Sequence, residues 1–189
     1  EFVELLLAQP VPRSRLFVGL YLGLALPLAG AFVGGTAIPF AMHLRSGAGL
    51  ALLVALFGAG VGLSLVFAAV ATWIALSSDD RLKGVGLALG VWLLSTIVYD
   101  GVVLAIAAAF SNWPLEKPML ALMLANPVDL ARVIVLTRLD ASALMGYTGA
   151  LFEHTFGTLL GTTVGAVALL AWCVAPLSIA ARRFRTRDF

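Results

Sequence analysis

Four apolar runs, residues 16–42, 49–76, 85–110 and 158–181, restrict this chain to one class of structure. Each exceeds the roughly 20 residues that a helix needs to cross the hydrocarbon of a bilayer. No β-barrel alternation of apolar and polar residues is present, and a backbone facing lipid must satisfy its own amides and carbonyls. All four runs are therefore expected to be helices. The first would be about 40 Å long and carries Pro27 and Pro39, so a tilt or bend is expected in it. Composition points the same way, with 61% of residues hydrophobic and only 12% charged, against about 25% charged in soluble domains. The expected fold class is all-α, a polytopic membrane helical bundle. A net charge of +2 is no nucleic-acid footprint, so the basic residues read as orientation signals.

What lies between the runs is informative because it cannot sit in lipid. Residues 1–15, EFVELLLAQPVPRSR, hold an apolar stretch of only about seven residues, too short to span. Helical spacing puts Phe2, Leu5 and Leu6 on one side, with Glu1 and Glu4 near the helix start, where carboxylates suit the dipole. Pro10 ends that helix, and Pro12, Arg13 and Arg15 make a basic turn into the first span. A short surface helix rigidly joined to a transmembrane helix is a handle on which a soluble partner can push. Placing it in the cytoplasm puts eight basic residues inside (Arg13, Arg15, Arg81, Lys83, Arg182, Arg183, Arg185, Arg187) and four outside (Arg45, Lys117, Arg132, Arg138). That asymmetry favours both ends of the chain in the cytoplasm. The tail, residues 182–189, reads either as a stop-transfer signal and nothing more or as an anchor to the anionic inner leaflet.

Within the third run, Asp100 stands out, because a carboxylate at that depth costs at least about 2.5 kcal/mol unless it is paired, protonated or wet. It is either a polar element of a translocation pathway or gate, or a structural hydrogen-bonding group beside Tyr99. Without a Gly-x-Gly-Asp partner it does not make an aspartyl protease. Residues 111–157 are too long for a turn. Within them Asn126, Pro127 and Asp129 have the order of an N-cap, a first helical position and a first-turn acid, and Arg132 is spaced to pair with Asp129. This set either caps a helix and nothing more, or forms the tip of a re-entrant or surface helical hairpin on the outer side. Residues 139–157, with Asp140, Glu153 and His154, are expected to run over the surface.

Glycines at four-residue spacing offer smooth faces for close helix contact: Gly19 and Gly23, Gly30 and Gly34, Gly58 and Gly62, then Gly157, Gly161 and Gly165. The last three suit packing against another helix or a second copy of the chain. Neither catalytic nor metal-ligating residues are expected: Cys173 is alone, His43 is isolated, and FEHTF lacks the His-Glu-x-x-His spacing.

Glu4, Leu5, Leu6 and Leu7, followed by Pro10, Val11 and Arg13 before a long span, resemble the ATPase-coupling helix of ABC-2 type transporter permeases. Gly86-Leu87-Ala88-Leu89-Gly90-Val91-Trp92, the pair Tyr99-Asp100, and Asn126-Pro127-x-Asp129-x-x-Arg132 are similar, more narrowly, to permeases of the Nos type, which serve nitrous oxide reductase maturation. The likeness covers essentially the whole chain and departs from the family at Glu1-Phe2-Val3, where a Gly-Thr pair is usual. It implies a permease subunit of an ATP-driven exporter in a bacterial or archaeal cell membrane. It also implies six spans in the full subunit, of which this chain would hold the last four. The implied partners are cytoplasmic ABC ATPase subunits, a second permease copy and a periplasmic accessory protein. The sequence has no Gly-x-x-x-x-Gly-Lys phosphate loop, so ATP and Mg would belong to the ATPase and this chain needs no cofactor of its own. The alternative is a non-transporting scaffold subunit of a larger membrane complex, which would explain the glycine faces but neither the surface helix nor Asp100.

Overall fold

The computed structural model describes residues 12–44, 50–138 and 146–186, and these are almost entirely helical. Helix α1 (Arg13–Leu44) passes through both Pro27 and Pro39, and α2 (Leu50–Ser77) returns across the membrane. The third span is interrupted: α3 (Arg81–Leu93) leads through a π turn (Leu94–Val98) into α4 (Tyr99–Ala109). Two short helices follow, α5 (Glu116–Leu124) and α6 (Pro127–Leu136), before the long α7 (Gly146–Thr186). Four of these segments are long and apolar enough to cross a membrane, while α5 and α6 form a pair bent by 105°.

Sequence reasoning misplaced some boundaries. Arg13 and Arg15, expected in a surface segment, lie in the opening turn of α1, and His43 is still helical rather than part of an outer turn. The last helix starts at Gly146, ahead of the apolar run that begins at 158, so Glu153 and His154 are helical, while Asp140 lies outside the described residues. At 1.5 Å per residue α7 is about 60 Å long, roughly twice the hydrocarbon thickness.

Helix α2 is the hub, packed by α1, α3, α6 and α7. Its Val66, Val70 and Ile74 meet Met123 of α5, Leu130, Val133 and Ile134 of α6, and Leu169 of α7. A smaller cluster of Phe17, Ala180 and Phe184 ties the start of α1 to the end of α7. Elsewhere large apolar side chains point outward, among them Ile38 at 72% and Leu104 at 68% exposed. That pattern suits lipid, where leaving an apolar side chain outside costs nothing and helices associate by close packing and hydrogen bonding. The third span is the extreme case, with no buried residue in α3, the π turn or α4.

In the first two spans the glycines paired by spacing make no close approach. A Cβ at Gly19, Gly23, Gly30, Gly34 or Gly58 would meet nothing within 4 Å, and one at Gly62 would make only ordinary contact with Leu169. Gly60, which no four-residue pair includes, lies so close to the ring of Phe32 that a Cβ there would require the ring to move.

Candidate functional site

The bend between α5 and α6 is built by one residue. Asn126 is extended (φ −122°, ψ 115°), and its Oδ1 accepts from the Val128 amide at 3.0 Å, capping α6. Pro127 occupies the first turn, where a missing N–H costs no hydrogen bond. The other end of the Asn126 amide reaches across to the third span, where Nδ2 donates to the Ser95 carbonyl at 2.9 Å. Ser95 lies in the π turn, a geometry that shifts the amide register and turns a carbonyl outward. The break therefore satisfies two irregular backbone stretches with one side chain 2% exposed.

The carbonyls at the end of α5 are also held by distant side chains. Tyr99 Oη donates to Leu122 O at 2.5 Å, and Trp172 Nε1 of α7 donates to Leu124 O at 3.0 Å. Arg138, just past α6, donates to Thr162 Oγ1 at 3.1 Å. Met119 and Met123 fill the space beneath the bend and are fully buried. A carbonyl buried away from water without a donor would be costly, so these bonds help hold the bend.

The charged residues meet one turn away. Arg132 Nη1 lies 3.0 Å from Asp100 Oδ2 and 3.4 Å from Asp129 Oδ1. Asp129 is buried, whereas the Arg132 and Asp100 side chains are 43% and 41% exposed. Asp100 is about 14 Å from the end of its span, so its partner is a cation brought by another element. One guanidinium serves two carboxylates, and the cluster has an open side. Asp100, Asn126, Pro127, Asp129 and Arg132, singled out in the sequence, are thus brought together. Ser95, Leu122, Leu124 and Trp172 were missed. Only the tryptophan gave a hint, since a buried indole N–H usually finds an acceptor. Among the described residues no group of three or more His, Cys, Asp or Glu could hold a metal ion.

The model of a family described as ABC-2 family transporter protein matches residues 3–189. The chain belongs to the ABC-2 transporter family. It is 31% identical over 189 residues to a probable ABC transporter permease protein NosY of Pseudomonas aeruginosa, covering 97% of this chain and 67% of that protein. It is 32% identical over 193 residues to a protein of the same name from Stutzerimonas stutzeri, with the same coverage. The chain thus spans about two thirds of the length of these relatives.

As an ABC-2 transporter chain with several membrane-crossing helices, it is a multi-pass membrane permease subunit of an ABC exporter, in which ATP is hydrolysed by a separate partner subunit. Of the residues that resemble the coupling helix, Glu4, Leu5, Leu6, Leu7, Pro10 and Val11 lie outside the described residues, and Arg13 opens α1. Of the glycine face in the last span, Gly161 and Gly165 are buried within this chain. A Cβ on Gly165 would come within 2.9 Å of Ile134 Cγ1, so Gly165 packs closely against the hairpin of its own chain. Gly157 lies in α7.

Proposed function

We propose that this permease works in nitrous oxide reductase maturation, as the Nos-type resemblance implies, and that the α5–α6 hairpin is its outer gate. The observation that carries the gate is Arg132, which reaches from the hairpin to Asp100 on a span with no fully buried residue. A span held by polar bonds can part from the hairpin and re-form the same bonds, whereas interdigitated side chains resist such separation. In this reading nucleotide-driven closure of the ATPases pushes on the segment containing Glu4, Leu5, Leu6, Leu7, Pro10, Val11 and Arg13. The first spans tilt and the hairpin opens. The permease performs no catalysis itself, acts as a homodimer with a periplasmic accessory protein, and keeps both ends of this chain in the cytoplasm.

Replacing Leu6 with Glu tests the coupling step. We expect the variant to insert normally but to lose stimulation of the partner ATPase in proteoliposomes; full stimulation would remove the coupling role. Expressing the wild-type gene in cells that lack their own Nos-type permease tests the pathway. Active nitrous oxide reductase is the expected result, and an inactive enzyme despite membrane insertion would assign the exporter to another cargo. The scaffold alternative gains no support from the relatives.

A further inference from the structure

The ionic contact between the third span and the hairpin does not balance. Nη1 of Arg132 lies 3.0 Å from Asp100 Oδ2 and 3.4 Å from Asp129 Oδ1, so one cation stands among two carboxylates. Their surroundings differ: the Asp100 side chain is 41% exposed, whereas Asp129 is buried in the first turn of α6. When both are ionised they repel each other and compete for one guanidinium, and the buried one has little water to offset the excess charge. A proton on Asp129 removes the conflict. It leaves Arg132 to Asp100 alone, and the protonated carboxyl can donate to the Asp100 carboxylate. Burial first, then the Asp100 charge, push the Asp129 carboxyl up to about 6, against the opposite pull of Arg132 and the Asn126 amide. Tyr99 of the third span is also within electrostatic reach of Asp129. The other elements packed on α6 hold their charged groups elsewhere: α2 has no ionisable side chain, and Glu116 and Lys117 stand at the far end of α5 from the bend. On α7, Tyr147, Glu153 and His154 come before its contact with Ile134 at Gly165, and the Cys173 thiol comes after it. Arg138 follows the opposite end of α6.

We propose that this contact is a proton-sensitive latch: acidification, by protonating Asp129, fastens the third span to the hairpin, and loss of that proton loosens the two. With the elements parted, Asp129 regains water and loses Asp100 as a neighbour, so its carboxyl returns toward the ordinary carboxylate range. The latched state therefore holds the proton more tightly than the parted one. Its added stability is full below about pH 4 and is lost as pH rises through about 6. The bearing of the latch on transport rests on the hairpin being the gate, which acid would then hold shut; the contact itself does not depend on that reading.

The test follows amide hydrogen exchange in the full-length permease, assembled with its ATPase in nanodiscs without nucleotide or cargo. Rates are taken at about pH 5 and about pH 7.5 and corrected for the intrinsic pH dependence of exchange. Protection across residues 99–104 is expected to be roughly three- to tenfold higher at the lower pH, with α2 unchanged. Asp129→Asn, neutral at both values, should keep protection high at both. Asp100→Asn removes the carboxylate that Arg132 holds on the third span and should lower protection and flatten its response to pH. Equal protection of the wild type at the two values, a full pH response in Asp129→Asn, or a change in α2 in step with residues 99–104 would each overturn the proposal. Because neither nucleotide nor cargo is present, such a result would strike the latch and leave the gate to be judged by transport.

Discussion

Asn126 performs two separable tasks, and substitution can divide them. Asn126→Ser keeps an acceptor for the Val128 amide but loses the Nδ2 bond to Ser95 O, whereas Asn126→Ala loses both. A lost cap costs typically about 1 kcal/mol, and a buried carbonyl left without a donor costs about 1–3 kcal/mol. We expect Asn126→Ala to lower the melting temperature in detergent most, with Asn126→Ser between it and wild type; equal melting of the two would mean that the cap is not used. The charge cluster is asymmetric in a comparable way. Asp100→Asn leaves Arg132 with Asp129, but Arg132→Gln leaves two carboxylates without their cation. Arg132→Gln should therefore be the more destabilising, and a double-mutant cycle between positions 100 and 132 should give about 1 kcal/mol or less, because both side chains are partly exposed. Of this site, the sequence showed the cap, since Asn126, Pro127 and Asp129 act within a few residues of one another. It did not show that the Asn126 amide had a second partner in Ser95, because that acceptor is a main-chain carbonyl 31 residues away.

Between elements, a single glycine fixes how closely α7 and α6 can lie. Gly165→Ala would place a methyl group 2.9 Å from Ile134 Cγ1 and 3.0 Å from its Cδ1. Overpacking of this kind costs typically about 1–3 kcal/mol. The loss should show as a lower melting temperature and be partly restored by Ile134→Val, while Gly19→Ala, which meets open space, should change little. Four-residue glycine spacing told that close contact was possible but not which helix would use it, so Gly165 was legible as a packing position and its partner was not. The same limit explains why Gly60 was overlooked: the reason for it is the Phe32 ring on another helix. The spans were readable within a few residues wherever apolarity defined them. The start of α7 was not, because residues 146–157 are helical without being uniformly apolar, and hydropathy carries no information about helices that leave the lipid.

Across the whole molecule, α2, α6 and α7 share a packed interior, while the third span places only Ala88 against it and joins the hairpin through the bonds at Ser95, Tyr99 and Asp100. Such a span should open at lower free energy than the rest. In detergent, Arg132→Gln is expected to speed hydrogen exchange across residues 94–104 and leave α2 unchanged; uniform acceleration would show that the bundle opens as one unit. The indole of Trp172, bonded to the hairpin through Leu124 O, also divides α7 unequally, about 21 Å from Thr186 and about 39 Å from Gly146. Were the helix to rock about that point, a small displacement at its arginine-bearing end would be nearly doubled at the other, and the long last helix would act as a lever.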